Sequence, residues 1–206
     1  SDWSSDVCSS DLALDSNVAT KTVSVAAVND APVVTTSGGT TASTEQVAVA
    51  IDAALTVADA DSANLASATI SITGGFQAAE DLLAFTNDGV TMGGITGSYN
   101  AVTGVLTLTG PATVAQFQAA MRAVTYKDTS DAPNTGNRTI SFKVNDGALD
   151  SNVATKTVSV AAVNDAPVVT TSAGTTASTE QVAVAIDAAL TVADADSANL
   201  ASATIS

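Results

Sequence analysis

Apolar residues in this chain alternate with Thr, Ser and charged side chains over short stretches, the period of two that a half-buried strand requires. Runs of this kind cover 46–51, 66–72, 102–108, 138–145 and 154–163. In the fourth run Ile140, Phe142 and Val144 share one face, and Ser141 and Lys143 take the other. In the fifth, Val158 and Val160, continued by Ala162, alternate with Thr157, Ser159 and Ala161. Turn clusters separate the runs: Gly74-Gly75, Asn87-Asp88-Gly89, Gly93-Gly94 and Asn145-Asp146-Gly147. Val, Thr, Ile and Ser suit a pleated surface, and many short strands with such turns predict an all-β, antiparallel, Greek-key-type sandwich. One segment departs from the pattern. After Thr113 the apolar residues fall at Val114, Phe117, Met121 and Val124, a helical spacing, with Thr113 and Gln116 placed as a capping box and Pro111 just upstream. A single short helix over about 114–122 follows, its apolar stripe packed on the sandwich.

The same pattern occurs twice. Residues 13–71 return as 148–206, 135 positions on, with one difference, Gly38 against Ala173. A long fixed period is the mark of tandem modules. The chain therefore divides into the terminal strand of a truncated preceding repeat (13–30), one complete repeat (31–165) and the truncated start of the next (166–206). Identity fails abruptly before Ala13, and 2–12 reads like one frame of a translated sequencing adapter. Residues 1–12 are accordingly set apart as an artefactual, disordered segment, and both ends are expected to be cuts in a longer array.

That division sharpens the composition. The lone Cys8 and lone Trp3 both fall in the excluded segment, and the chain has no His. Disulfides, zinc ligation and thiol or Ser-His catalysis are thereby excluded from the array. The remaining aromatics, Phe76, Phe85, Tyr99, Phe117, Tyr126 and Phe142, all lie between the duplicated flanks. Only the complete repeat carries the bulk to close a full core, so the flanks are expected to be less stable. Net charge is −15, from 21 acidic and 6 basic residues. Nucleic acid is a poor partner for such a chain. No apolar run approaches the roughly 18–20 residues that span a bilayer.

Three acid-bearing segments stand in order along the repeat: Val57-Ala58-Asp59-Ala60-Asp61-Ser62-Ala63-Asn64, then Phe142 to Gly147, then Val160-Ala161-Ala162-Val163-Asn164-Asp165-Ala166-Pro167. Together they resemble the Asp-x-Asp loop, the calcium-binding strand end and the inter-domain linker of cadherin-like repeats in large bacterial surface and secreted proteins. The helix and Tyr126-Lys127-Asp128 are similar to a related repeat class of proteoglycan-type surface proteins. Ala162, like Ala27, stands where the cadherin linker has its first acid, and no counterpart of the acidic pair in mid-repeat is found. The resemblance implies a Ca2+ site with fewer protein ligands than a vertebrate cadherin offers.

On that resemblance Asn29, Asp30, Asp59, Asp61 and Asp146 meet at the N-terminal pole of the complete repeat. Asn164, Asp165, Asp194 and Asp196 form the next junction, with Glu45 supplied from the base of the preceding repeat. Calcium takes six to eight oxygen ligands, which these side chains can offer. Read without the resemblance, the same residues are solvated turn acids, and Asn-Asp-Ala-Pro is a linker stiffened by its proline.

The expectation is a non-catalytic, calcium-stiffened, adhesive or stalk-forming repeat of an extracellular or cell-surface protein. Its partners would be neighbouring repeats of the same chain, and a cell-surface protein or glycan. Two alternatives stay open: a polysaccharide- or self-binding module, and a spacer in a large secreted enzyme. Glu80 and Asp81 are adjacent carboxylates, but neighbours on a strand diverge, and no sugar-stacking aromatics flank them.

Overall fold

A computed structural model describes residues 19–206. The adapter-like segment, and residues 13–18 of the predicted terminal strand, lie outside the described residues. Alternation along the chain produces strands β1 (Val33–Thr35), β2 (Thr40–Thr44), β3 (Val49–Ala50), β4 (Thr56–Ala58), β5 (Asn64–Gly74), β6 (Asp81–Ala84), β7 (Thr96–Asn100) and β8 (Val105–Thr113). A helix α1 (Val114–Arg122) follows, then β9 (Thr125–Asp128), β10 (Arg138–Asn145), β11 (Ala154–Ala161), β12 (Val168–Thr170) and β13 (Thr191–Ala193).

The fold is an all-β sandwich. One sheet runs β2-β11-β10-β5-β8-β7, and β3-β9-β6 forms another; β1 pairs with β4. Pairing is antiparallel except that β2 lies parallel to β11, Thr157 opposite Thr40 through Ala161 opposite Thr44. The core draws on both sheets, including Ile70 and Ile72 of β5, Leu106 and Leu108 of β8, Leu83 of β6 and Tyr126 of β9. In β10 the residues at 138, 140, 142 and 144 face inward and those between them face out, as period two requires. Phe117, Tyr126 and Phe142 are fully buried, while Phe76, Phe85 and Tyr99 pack at the margin.

The helix occupies the predicted span. Thr113 accepts the Gln116 N–H and the Gln116 side chain accepts the Thr113 N–H, closing the capping box. Phe117, Ala120 and Met121 are buried where α1 lies against β4, β5 and β8. At its C-terminal end Arg122 donates Nε–H to the Leu55 carbonyl at 2.6 Å.

Strand limits differ from the sequence pattern where turns intervene. Gln46 sits at φ 59° and sends its N–H to the Asp128 carbonyl, so of the 46–51 run only Val49 and Ala50 pair. Val102 lies in a turn closed on Asn100, and β8 starts at Val105. β11 ends at Ala161, leaving Ala162 exposed.

The duplicated flanks reveal which contacts fix each element. β12 and β13 repeat the local pairing of β1 and β4 in the same register, Val168 opposite Ala193 as Val33 is opposite Ala58. Elements that need distant partners are missing. Residues 40–44 form β2, but the identical 175–179 form no strand; 154–161 form β11, but the identical 19–26 do not. Ile51 and Ile70 are fully buried, whereas their copies Ile186 and Ile205 are 73% and 85% exposed. Tertiary pairing here outweighs propensity, as is general for strands. Ile70→Ala is expected to cost about 2–5 kcal/mol in chemical denaturation of the complete repeat. Ile205→Ala, the same change in the same local sequence, should stay within about 0.5 kcal/mol.

Candidate metal centres

Closing the sandwich brings acidic loops to both poles of the complete repeat. At the N-terminal pole the chain leaves β4 into an Asx turn, where Asp59 Oδ1 accepts N–H groups from Asp61 (3.1 Å) and Ser62 (2.7 Å). The loop after β10 folds likewise, with Asp146 Oδ1 accepting from Ala148 and Leu149, both at 2.7 Å. The linker joins the two. Asn29 donates Nδ2–H to Asp146 Oδ2 at 2.7 Å, and the Asp30 N–H points at the Asp61 carboxylate at 3.2–3.3 Å. Ser62 donates to Asn29 Oδ1 at 3.4 Å. Asn29, Asp30, Asp59, Asp61 and Asp146 thus form one contiguous group.

The opposite pole collects the second set. Glu45, just past β2, is buried; its N–H bonds the Ala161 carbonyl and its Oε1 accepts the Val163 N–H at 2.7 Å. This fixes the exit of β11 into the linker. There Asn164 donates Nδ2–H to the Asp165 carbonyl at 2.9 Å. Asp194 Oδ1 accepts from Asp196 (3.2 Å) and Ser197 (2.8 Å), copying the turn at Asp59. Asp165 and Asp194 line an open cleft of about 340 Å3, whose further lining includes Asp131. Asp131 is a candidate residue of this pole that the sequence pattern did not mark. It follows β9 and is held by Gln46 Nε2–H at 2.9 Å. Its only sequence signal is a place in the Lys127–Asp131 stretch, too common a pattern to stand out.

Two features give these poles chemical character. Among the described residues, the buried side-chain polar atoms without a hydrogen-bond partner are Glu45 Oε2, Asp59 Oδ2 and Asp165 Oδ2. All three are carboxylate oxygens at the poles, and an unpaired buried polar atom is costly. Charge is unbalanced as well. Burial pushes the Asp165 carboxyl above its ordinary range, and repulsion from Asp131, Glu45, Asp196 and Asp194 adds to this. Asp146 is held below that range by the Leu149 N–H, then by Asn29 and Ala148. Among the described residues no three Asp or Glu side chains already stand at ligating geometry around one point. One oxygen each of Asp59, Glu45 and Asp194, and both of Asp61 and Asp146, instead meet neighbouring N–H groups.

A separate charged cluster lies inside the sandwich. Arg138 is fully buried, with Nε 2.9 Å from both Asp81 oxygens and Nη2 3.3 Å from Asp128 Oδ2 and 3.6 Å from Glu80 Oε2. Its Nη1 donates to the Asn134 and Gly136 carbonyls. Asp81 also accepts from Tyr126 Oη at 2.6 Å and from the Gln77 N–H at 2.7 Å. Gly75, at φ 71°, lies against the Asn137 carbonyl, where a Cβ would collide. Contrary to the divergence expected of neighbours, Glu80 and Asp81 both reach this arginine, because Glu80 lies in the turn before β6 rather than on the strand. The cluster ties β6, β9 and β10 together, and both oxygens of Asp81 and of Asp128 are engaged.

The fold and its acidic poles define a β-sandwich module of a tandem series. No protein-family profile matches the chain. It is similar to a stretch of halomucin from Haloquadratum walsbyi (strain DSM 16790 / HBSQ001), 37% identical over 117 residues, which is 56% of this chain and 1% of that protein. A loose likeness to the crystal structure of collagen adhesin from S. aureus has 11% identity and a TM-score of 0.22, covering 68% of this chain and 51% of that one.

Removing the arginine would leave buried carboxylates uncompensated. Arg138→Met is expected to cost about 3–5 kcal/mol in chemical denaturation at neutral pH. Carboxyl titration by NMR in metal-free buffer should place Asp165 above and Asp146 below the usual range. By linkage, the Asp146 contribution to stability is present above its unfolded value and lost as pH falls through its folded one. Asp165 works in the opposite sense, favouring the fold below its unfolded value and losing that contribution as pH rises through the folded one.

Proposed function

We propose that this chain is a non-catalytic module of an extracellular or cell-surface array, stiffened at its junctions by calcium and serving adhesion or projection. The observation that carries the reading is the placement of the three orphan carboxylate oxygens, all at the seams between repeats. Buried, unpaired anionic oxygens beside further acids are suited to a hard divalent cation. The donor set is entirely oxygen, since no His is present and the only Cys is Cys8, which favours calcium over zinc or copper.

Asn29, Asp30, Asp59, Asp61 and Asp146 would hold one ion. Glu45, Asp131, Asp165, Asp194 and Asp196, with Asn164 beside them, would hold the other. Bound calcium supplies positive charge and several oxygen-coordination positions at each seam. The residues do the rest: Glu45 and Asp131 belong to one repeat, Asp194 and Asp196 to the next, and Asp165 to the linker. Engaging them together restricts the hinge between modules. It also offsets self-repulsion in a chain of net charge −15.

An array is supported by the near-exact repeat, and by a 37% match to a protein of which 117 residues are only 1%. Surface location is supported by the same similarity. Among the described residues no helix is long and apolar enough to cross a membrane.

A thermal melt with and without chelator tests the reading. With 1 mM calcium and a Kd of about 0.1 mM, the gain is about 1.4 kcal/mol, a midpoint rise of roughly 3–8 °C. Asp59→Asn with Asp61→Asn should make that rise smaller, while Asp88→Asn, at an exposed turn, should leave it intact. Equal midpoints in calcium and chelator would defeat the proposal.

A further inference from the structure

We infer that Asn137 is an attachment site for an N-linked glycan. Asn137-Arg138-Thr139 is the one place in the sequence where an asparagine stands two residues before Ser or Thr with no proline between them, the pattern that N-glycosylation requires. A three-residue pattern recurs by chance; the fold decides whether its reacting atoms can be reached.

The middle residue is the anchor. Arg138 is fully buried at the start of β10, on the same side as Ile140 and Phe142. Alternation along an extended chain turns its two neighbours the other way. Asn137 is exposed, and Thr139 is half-buried on the outer face of the larger sheet. The side chain that the transfer does not use is thus the one that holds the segment, and the two that it needs face outward. The backbone is fixed on both sides. Arg138 Nη1 donates to the Asn134 and Gly136 carbonyls, and Glu80 Oε2 accepts the Asn134 N–H at 3.0 Å. Beyond it, Thr139 pairs with Gly74 and Thr157.

The Asn137 carboxamide is also free to react. Asn87, Asn100, Asn134 and Asn145 close their turns by accepting, through Oδ1, the N–H two residues on, at 2.7–3.0 Å. The bonds of the loop before β10 run through Asn134, Gly136 and Arg138 instead. No hydrogen bond among the described residues reaches Asn137 Oδ1 or Nδ2, so modification costs the fold none. In the transfer, Nδ2 forms a bond to the anomeric carbon of a sugar carried on a lipid phosphate or diphosphate. The bond from that carbon to the phosphate oxygen breaks, its electron pair leaving with the phosphate, and Nδ2 gives up one proton to water. This inference rests on the extracellular part of the reading above and not on calcium.

The test is to export the full chain behind a heterologous leader, through a secretory pathway that attaches N-linked glycans, and to measure intact mass and peptide maps. The leader fixes the compartment, so the outcome reports the acceptor and not the natural location of the array. The chain should gain the mass of one glycan, released by an amidase that leaves aspartate at 137. Asn137→Gln and Thr139→Ala should each lose the glycan, and Thr139→Ser should keep it. Glycosylated wild type and Asn137→Gln should unfold at the same midpoint. A secreted, folded chain without sugar, beside a co-secreted acceptor protein that carries it, would overturn the inference. So would sugar that persists in Asn137→Gln, which places it on Ser or Thr hydroxyls instead.

Discussion

Everything in this molecule depends on a sandwich closed by its middle segment. The duplicated flanks supply strands and small apolar residues, but the segment between them supplies Phe117, Tyr126 and Phe142, the helix, and β8 and β10, the two strands that pair with the long β5 on either side. Where that segment is present, Ile51 and Ile70 are sealed from water; where it is not, the same residues are exposed. A β-strand completes its hydrogen bonding only through a neighbour, so local sequence alone cannot hold it in place. The pole geometry follows from this closure. β4, β10 and the entering linker converge at one end, β2, β9 and the leaving linker at the other, and each carries its acids to that pole.

The two ionic features of the fold have opposite character. Inside the sandwich, Arg138 meets Asp81 and Asp128 with tyrosine and backbone partners, so the buried carboxylates have a cation and hydrogen-bond donors beside them and β6, β9 and β10 are tied together. At the poles, acids gather without a base. Glu45 illustrates the difference: one carboxylate oxygen anchors the Val163 N–H, while the other is buried and unpaired. A cation amid the acids within a repeat and the lack of one at its ends distinguish the two clusters.

Features encoded over a few residues were legible in the sequence. The Thr113–Gln116 box marked the helix start, and the alternation of Ile140, Phe142 and Val144 marked β10. The short strands β1, β4, β6 and β7 were not legible, because three to five residues with one or two inward positions do not make a countable period. The identical segments 40–44 and 175–179 show that this is a physical limit, since one sequence is strand in the first place and irregular in the second. Of the poles, the Asp-x-Asp loops and the Asn-Asp linkers were visible as motifs. Asp131 was not, since it reaches its pole only through the β9 turn and Gln46. Nor was the Arg138–Asp81 pair, whose members are 57 residues apart.

Calcium titration of the isotopically labelled chain, followed through its amide shifts, tests the central claim most directly. Saturable shifts should concentrate at 29–30, 59–62 and 146 for one seam, and at 45, 131, 164–165 and 194–197 for the other. Absence of saturable change there, or change spread evenly over exposed acids such as Asp88 and Asp150, would contradict the assignment of the seams as cation sites.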